Sequence, residues 1–307
     1  MKMLEKKYLT KIDKYLRENC RLLEKRLFDY YFRDGEPKEI VDALKLYQNQ
    51  DGGFGQGLES DFRMPDSSPM ATSIGVRILK DFDSSKKAKR MLKQAVNYFE
   101  YTYNEKRKGW YALSKKVNDY PHTPWWHYDK EKGMTVIDEN WGNPSAEIIA
   151  YLYKYKSYVK KLNVEELVDY AIKQLNEKQE FNSANEVFCY IKLYRELPED
   201  KKEEIKENLS EAISQVVEYD EDKWEEYVPL PLHFVTDPTK ECFDIDKESL
   251  KKNLNFYIDL IKENTVIKPP WGKSFYTEGL EPAYNEWKGV LTVEALKTLD
   301  NFNRIES

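Results

Sequence analysis

The feature that most restricts this fold is a spacing of three and four residues. From Leu4 onward, apolar side chains fall at Tyr8, Ile12, Tyr15, Leu16, Leu23, Leu27 and Tyr31. That spacing lines them up on one stripe of a helix, whereas a strand face needs a period of two. The same pattern returns at about 37–49, 69–81, 87–103, 144–157, 164–179, 184–196, 200–218, 247–263 and 287–300. Sustained polar–apolar alternation is lacking. The spacing predicts an all-α chain of about eleven helices.

These helices alternate in character. "SKKAKRMLKQAVNYFEYTY" and "KKEEIKENLSEAISQVVEY" carry the charge of solvated faces. "PMATSIGVRIL", "PSAEIIAYLY" and "VLTVEALKTL" are shorter, less charged and richer in small residues. Aligned, they bring Thr72, Glu147 and Thr292 to one position and Gly75, Ala150 and Ala295 to another. The small residues let helices approach closely, and the polar position faces a cavity or a neighbour. "FNSANEVFCYIKLY" departs from the pattern, with Asn185 at the polar position and Phe188 at the small one. Ser68-Pro69 and Asn143-Pro144 each set a capping side chain before a proline at the first helical position. Repeated two-helix units predict a repeat architecture, and their uneven spacing suits a closed ring with insertions better than an open solenoid. No linker rich in Pro, Gly or Ser divides the chain, so one domain over 1–307 is expected.

Composition narrows the partners. Forty-nine basic residues against 55 acidic ones leave a net charge of -6 with no basic stripe, so nucleic acid is not an expected partner. No window approaches the roughly 18 apolar residues of a membrane span. Cys20, Cys189 and Cys242 lie far apart, and "MKMLEKKYLTKIDKYL" lacks a signal peptide's apolar core. A cytoplasmic protein with reduced thiols is the expectation.

Within this helical background "QNQDGGFG", Gln48–Gly55, stands out. Asp51-Gly52-Gly53 is a tight turn that needs positive φ. Phe54 anchors the loop in apolar surface, and Gln48 reaches exposed carbonyls at a helix end. The octet resembles the Gln-x-x-Asp-Gly-Gly-(Trp/Phe)-Gly repeat of the terpenoid cyclases and the protein prenyltransferase β subunits. The resemblance covers Leu44 to about Leu79, with degenerate echoes in "RKGWYAL" (107–113) and "PPWGKSF" (269–275). It implies an α/α toroid of inner and outer helices and an isoprenoid-like small molecule in a central cavity; low charge and small-residue faces put 69–81, 144–157, 184–196 and 287–300 in the inner set. The chemistry of those families is not carried over intact. "ESDFRMPDSS" and "IDEN" do not reproduce the Asp-x-Asp-Asp acid motif, and "DFDSS" is a poor copy of a magnesium motif. His122, His127 and His233 do not combine with Cys242 into a zinc set. No metal and no cofactor is expected.

A second stretch, "NDYPHTPWWHYDKEKGMTVIDENWGNPSAE" (118–147), holds two histidines and three tryptophans in one long connection. It is either an aromatic plug or a pocket wall. As a wall, Trp125, Trp126, Tyr128 and Trp141 would stack on a ligand, with His122 or His127 as acid or base. Capped loops meeting on one rim would gather Glu59, Asp61, Asp66, Glu139 and Glu147, and "FYTEGLEPAYNEW" adds Glu278, Glu281 and Glu286. Carboxylates in an aromatic cleft suit glycoside chemistry, but helix N-termini favour acids for their dipole as well. Asp66, Asp61, Glu147 and His127 are the candidates for acid–base chemistry. His122, Trp125, Trp126, Tyr128, Trp141 and Glu281 are the candidates for ligand contact. Three functions stay open: an isoprenoid-like ligand bound or converted, a carbohydrate-active hydrolase or lyase, and a non-catalytic peptide- or protein-binding ring. Because inner helices of such a ring run parallel, Asp61 and Asp66 should share a rim with His122, Trp125, Trp126 and His127.

Overall fold

The computed structural model describes residues 1–306. Helices hold 60% of the chain and strands 4%, which makes the fold all-α. In chain order the helices are α1 (Lys6–Asn19), α2 (Leu22–Phe32), α3 (Pro37–Lys45), α4 (Pro69–Leu79), α5 (Lys86–Thr102), α6 (Gly142–Lys154), α7 (Val164–Glu177), α8 (Ala184–Glu196), α9 (Glu199–Val216), α10 (Pro231–Phe234), α11 (Lys247–Asn264) and α12 (Pro282–Asn301). Two short strands, β1 (Tyr128–Asp129) and β2 (Met134–Thr135), pair antiparallel in the loop between α5 and α6. No described helix is long and apolar enough to cross a membrane.

The capping chemistry is visible at the starts of α4, α5, α7, α8 and α11. Ser68 Oγ accepts the Ala71 N–H at 3.1 Å and Ser85 Oγ accepts the Ala88 N–H at 3.1 Å. Asp246 accepts from Glu248 and Ser249 at the start of α11. Asn143 behaves differently from Ser68. Its peptide bond to Pro144 is cis, and its side chain accepts from the Cys189 thiol, 3.7 Å away. The first stripe is broken into α1 and α2 because Cys20 and Arg21 are extended. At the other end, α12 starts at Pro282, ahead of the expected 287, where proline's fixed φ suits the first helical turn.

The chain forms two compact units, Leu44–Val216 and Met1–Ala43 with the stretch from Val217 onward. In the first, α4, α6 and α8 pack side by side, α5, α7 and α9 each lie against the preceding member of that set, and α7 also meets α9. α6 is buried from Gly142 to Leu152 without interruption, so it sits inside the unit, while α5 and α7 show charged faces to solvent. In the second unit α1, α2 and α12 pack together and α10 packs on α11. Its two chain ends are tied. Leu4 donates to the Arg304 carbonyl (2.8 Å), Glu306 donates back to Leu4 (3.0 Å), and the buried Arg304 guanidinium reaches the Lys2 carbonyl (2.7 Å).

The Gln48–Gly55 octet is used up in structure. Gly52 has φ +91°, and a Cβ there would lie 2.5 Å from the Gln94 carbonyl oxygen. Gln48 Nε2 donates to the carbonyls of Gly52 (2.9 Å) and Met91 (3.0 Å), binding the turn to α5. Phe54 is fully buried on Gly75, whose added Cβ would lie 2.7 Å from the ring, and the Phe54 N–H donates to Thr72 Oγ1 (2.9 Å). The echo at Gly109-Trp110 repeats this lock. Trp110 is fully buried and its N–H donates to Ser145 Oγ (3.0 Å) on the first turn of α6. In the other unit Ile267 donates to Thr292 Oγ1 (2.9 Å), so the third echo falls four residues before Trp271.

The turn yields a direct expectation. Gly52→Val should lower stability by more than about 1 kcal/mol, because a β-branched residue is strained at positive φ and meets Gln94. Denaturant unfolding measures it, and an unchanged midpoint would contradict this account of the turn.

Candidate functional site

The loop after the glycine turn and the long loop before α6 lie against each other. Arg63 donates to the Pro121 carbonyl (2.9 Å), Thr123 donates to the Asp61 carbonyl (2.9 Å), and Phe62 forms a β-bridge with His122. Lys116 pairs with Asp66 at 2.9 Å. Asp61 and Asp66 are therefore brought to the same pair of loops as His122, Trp125, Trp126 and His127. The aromatics there have distinct tasks. Trp126 is buried edge-on against Phe62, with centroids 5.6 Å apart. Trp125 is half-buried and donates Nε1–H to Asp61 Oδ2 at 3.0 Å.

The two histidines form one unit. Their rings stack with centroids 5.3 Å apart, and His122 Nε2 lies 3.0 Å from His127 Nδ1. The tautomers follow from what His122 Nδ1 faces, the Tyr120 carbonyl oxygen at 2.6 Å. A carbonyl only accepts, so His122 Nδ1 carries the proton. Its Nε2 is then a lone pair that accepts from His127 Nδ1–H, and the His127 Nε2 lone pair points away from the couple.

His127 lines an open cleft of about 630 Å³ together with Asn118, Asp119, Tyr128, Asp129 and Lys130. Asn118 builds that wall, since its amide accepts from the Tyr128 N–H and donates to the Tyr128 carbonyl, both at 2.8 Å. Asp129 accepts from the N–H groups of Glu131 (2.8 Å) and Lys132 (3.1 Å). These bonds, the Lys132 one foremost, hold its carboxyl below the usual range. Among the described residues, no three His, Cys, Asp or Glu side chains are placed to hold a metal ion.

Other candidates lie elsewhere. Glu147 is buried in an ion cluster, with Arg77 bidentate at 2.7 Å, Tyr151 Oη at 2.6 Å and Lys192 Nζ at 3.5 Å. Burial alone would raise its pKa, but the Arg77 and Lys192 charges prevail and hold it well below the carboxylate range. Its partners occupy all the lone pairs a substrate would need. Trp141 donates to the Arg107 carbonyl (3.1 Å) and packs edge-on against Tyr170. Glu281 belongs to the other unit, where it accepts from the Gly279 N–H (2.9 Å) and lines a cleft of about 480 Å³ with Arg21 and Glu286.

One organising residue escaped the reading of the sequence. Asp138 is buried and accepts from Ala112 N (2.6 Å), Thr135 N (3.0 Å) and Thr135 Oγ1 (2.7 Å), fastening the long loop to the segment after Trp110. Burial raises its pKa against those bonds. The signal was present, since Thr135-Val-Ile-Asp138 has the spacing of a capping box. No protein family, curated protein or solved structure matches this chain.

Glu147 gives the stability test for this region. Glu147→Gln should cost about 3 kcal/mol at neutral pH, because it removes the buried counter-charge of the half-buried Arg77 and Lys192. A lowered folded-state pKa means the carboxylate's contribution is present above its ordinary value of 4.5 and lost as pH falls below it. Unfolding curves of wild type and variant should converge on acidification, and a pH-independent gap would contradict the ion-pair assignment.

Proposed function

We propose that this chain is an α/α-toroid-type protein that binds a small hydroxyl-rich molecule in the cleft beside His127 and acts on it by proton transfer. The toroid reading rests on the repeated lock between a loop N–H and the next helix, at Phe54–Thr72, Trp110–Ser145 and Ile267–Thr292. The functional reading rests on one observation. A histidine whose Nδ1 is taken up by a second histidine lines a polar cleft, which leaves its Nε2 as the nitrogen free to act there. A proton accepted there turns His127 into an imidazolium whose Nδ1–H bond to His122 Nε2 becomes charge-assisted. His122 is thus a positioning residue for His127, and Asp129 supplies a nearby negative charge. The lining (one tyrosine with one amide, two acids, a histidine and a lysine) favours a carbohydrate over an isoprenoid, whose burial needs continuous apolar surface.

Thermal-shift titration with neutral and acidic oligosaccharides, and with a prenyl diphosphate, tests this reading. A sugar should raise the Tm of wild type, and any turnover of that sugar should fall by about 100-fold or more in His127→Ala. Tyr128→Ala should weaken the sugar's binding while leaving the helical circular dichroism unchanged. Stabilisation by the prenyl diphosphate alone would sink the proposal.

A further inference from the structure

The long connection into α12 carries the motif "PPWGKSF" and the strip "FYTEGLEPAYNEW", and neither takes part in the cleft at His127. In the structure this connection has a small core of its own. Tyr276, Leu280 and Ala283 are buried, with Trp271, Tyr284 and Trp287 packed half-exposed around them. Trp271 Nε1–H donates to the Tyr276 hydroxyl, which fixes the indole in place. Trp287 stands edge-on to Trp271 at 5.2 Å and 86°, and Tyr227 does the same at 5.4 Å and 80°. Tyr227 and Trp287 thus each stand nearly perpendicular to Trp271. The Tyr227 side is open, at 64% exposure. The backbone beside Trp271 also faces open space, because a Cβ added at Gly272 would meet no atom within 4 Å.

The partly exposed faces of such rings attract a cation through their quadrupoles. The acidic charges nearby have the matching sign, with Lys273 and Lys288 as opposing cations. Tyr227 ends the run Glu218–Tyr227, which holds six carboxylates and one lysine. That lysine, Lys223, pairs with Glu218, and Lys252 pairs with Glu221. Glu225 and Glu226, next to Tyr227, are exposed. Within the same small core, the Tyr284 face already takes the Lys288 ammonium, 4.6 Å from its centroid.

We propose that Tyr227, Trp271 and Trp287, with Glu225 and Glu226, form a binding site for an alkylated ammonium group. A hydroxyl-rich ligand would stack on the indole faces and hydrogen-bond the carboxylates, but it brings no charge to match theirs. A plain apolar segment would lose on that run. An alkylated ammonium uses both, since its methyl groups contact the rings while its charge meets the carboxylates. This site lies in a different unit from His127 and stands or falls independently of the function proposed above.

The test uses the full chain and tetramethylammonium chloride, followed through the ligand's own proton NMR signal at constant ionic strength. The neutral isostere tert-butanol serves as the control. Wild type should shift the ammonium methyl signal upfield, saturating with a Kd on the order of 1–10 mM, with no saturable shift of tert-butanol. Trp271→Ala should weaken binding by about tenfold or more, with Trp271→Phe recovering part of it. The surface double variant Glu225→Gln/Glu226→Gln should weaken it by about threefold, and it decides the matter if Trp271→Ala loses helical circular dichroism. Equal binding of tert-butanol, absence of saturable binding, or affinity unchanged in the double variant would each overturn the proposal.

Discussion

A loop N–H donated to a hydroxyl on the opening turns of the following helix is the interaction on which the rest depends. At Phe54 the bond to Thr72 Oγ1 comes with a fully buried ring lying on Gly75. Burying a phenylalanine side chain stabilises by about 2–3 kcal/mol, and the hydrogen bond meets a buried donor that would otherwise be left unpaired. Gly75 is small for the sake of that ring, so close approach of two helices is not what sets its size. The same lock at Trp110 uses Ser145, two residues before the aligned position. Glu147 is thereby released from the loop and made available to Arg77.

This lock also explains where a working surface can form. Once Phe54 and Trp110 are buried at the heads of their loops, the chain between each and the next helix has to run over the surface. Between Phe54 and Ser68 that stretch carries Asp61 and Phe62, which pair with the backbone around His122. Before α6 the longer stretch is held by Asp138 to one side and by Asn118 to the other. The histidine pair is left between fixed points. Its rigidity comes from hydrogen bonds to backbone, so its tautomers are set by the fold before any ligand arrives.

Much of this was legible in the sequence, for reasons that can be traced. Periodicity located the long helices because their apolar stripes are regular. Ser68-Pro69 marked the start of α4 because its capping chemistry is local. The glycine turn was legible because only positive φ explains its residues. Contacts between distant segments were not legible. Glu147 looked like a rim acid because its partner Arg77 lies seventy residues away. Trp125, Trp126 and Trp141 looked equivalent in the sequence, although one bonds Asp61, one is buried on Phe62 and one bonds the Arg107 carbonyl. The hairpin at Tyr128–Thr135 was hidden because two-residue strands show no alternation. Asn118, which shapes the cleft wall, gave no signal, since an amide clamp on a neighbouring backbone has no characteristic spacing.

The central claim is that His127 offers an unprotonated Nε2 to the cleft because His122 accepts from its Nδ1–H. Long-range 15N–1H correlation spectroscopy of the histidine rings reads this directly. The account predicts that His122 and His127 are both Nδ1–H tautomers, and that His127 loses its preference in His122→Phe. An Nε2–H tautomer at His127 in the wild-type protein would contradict it.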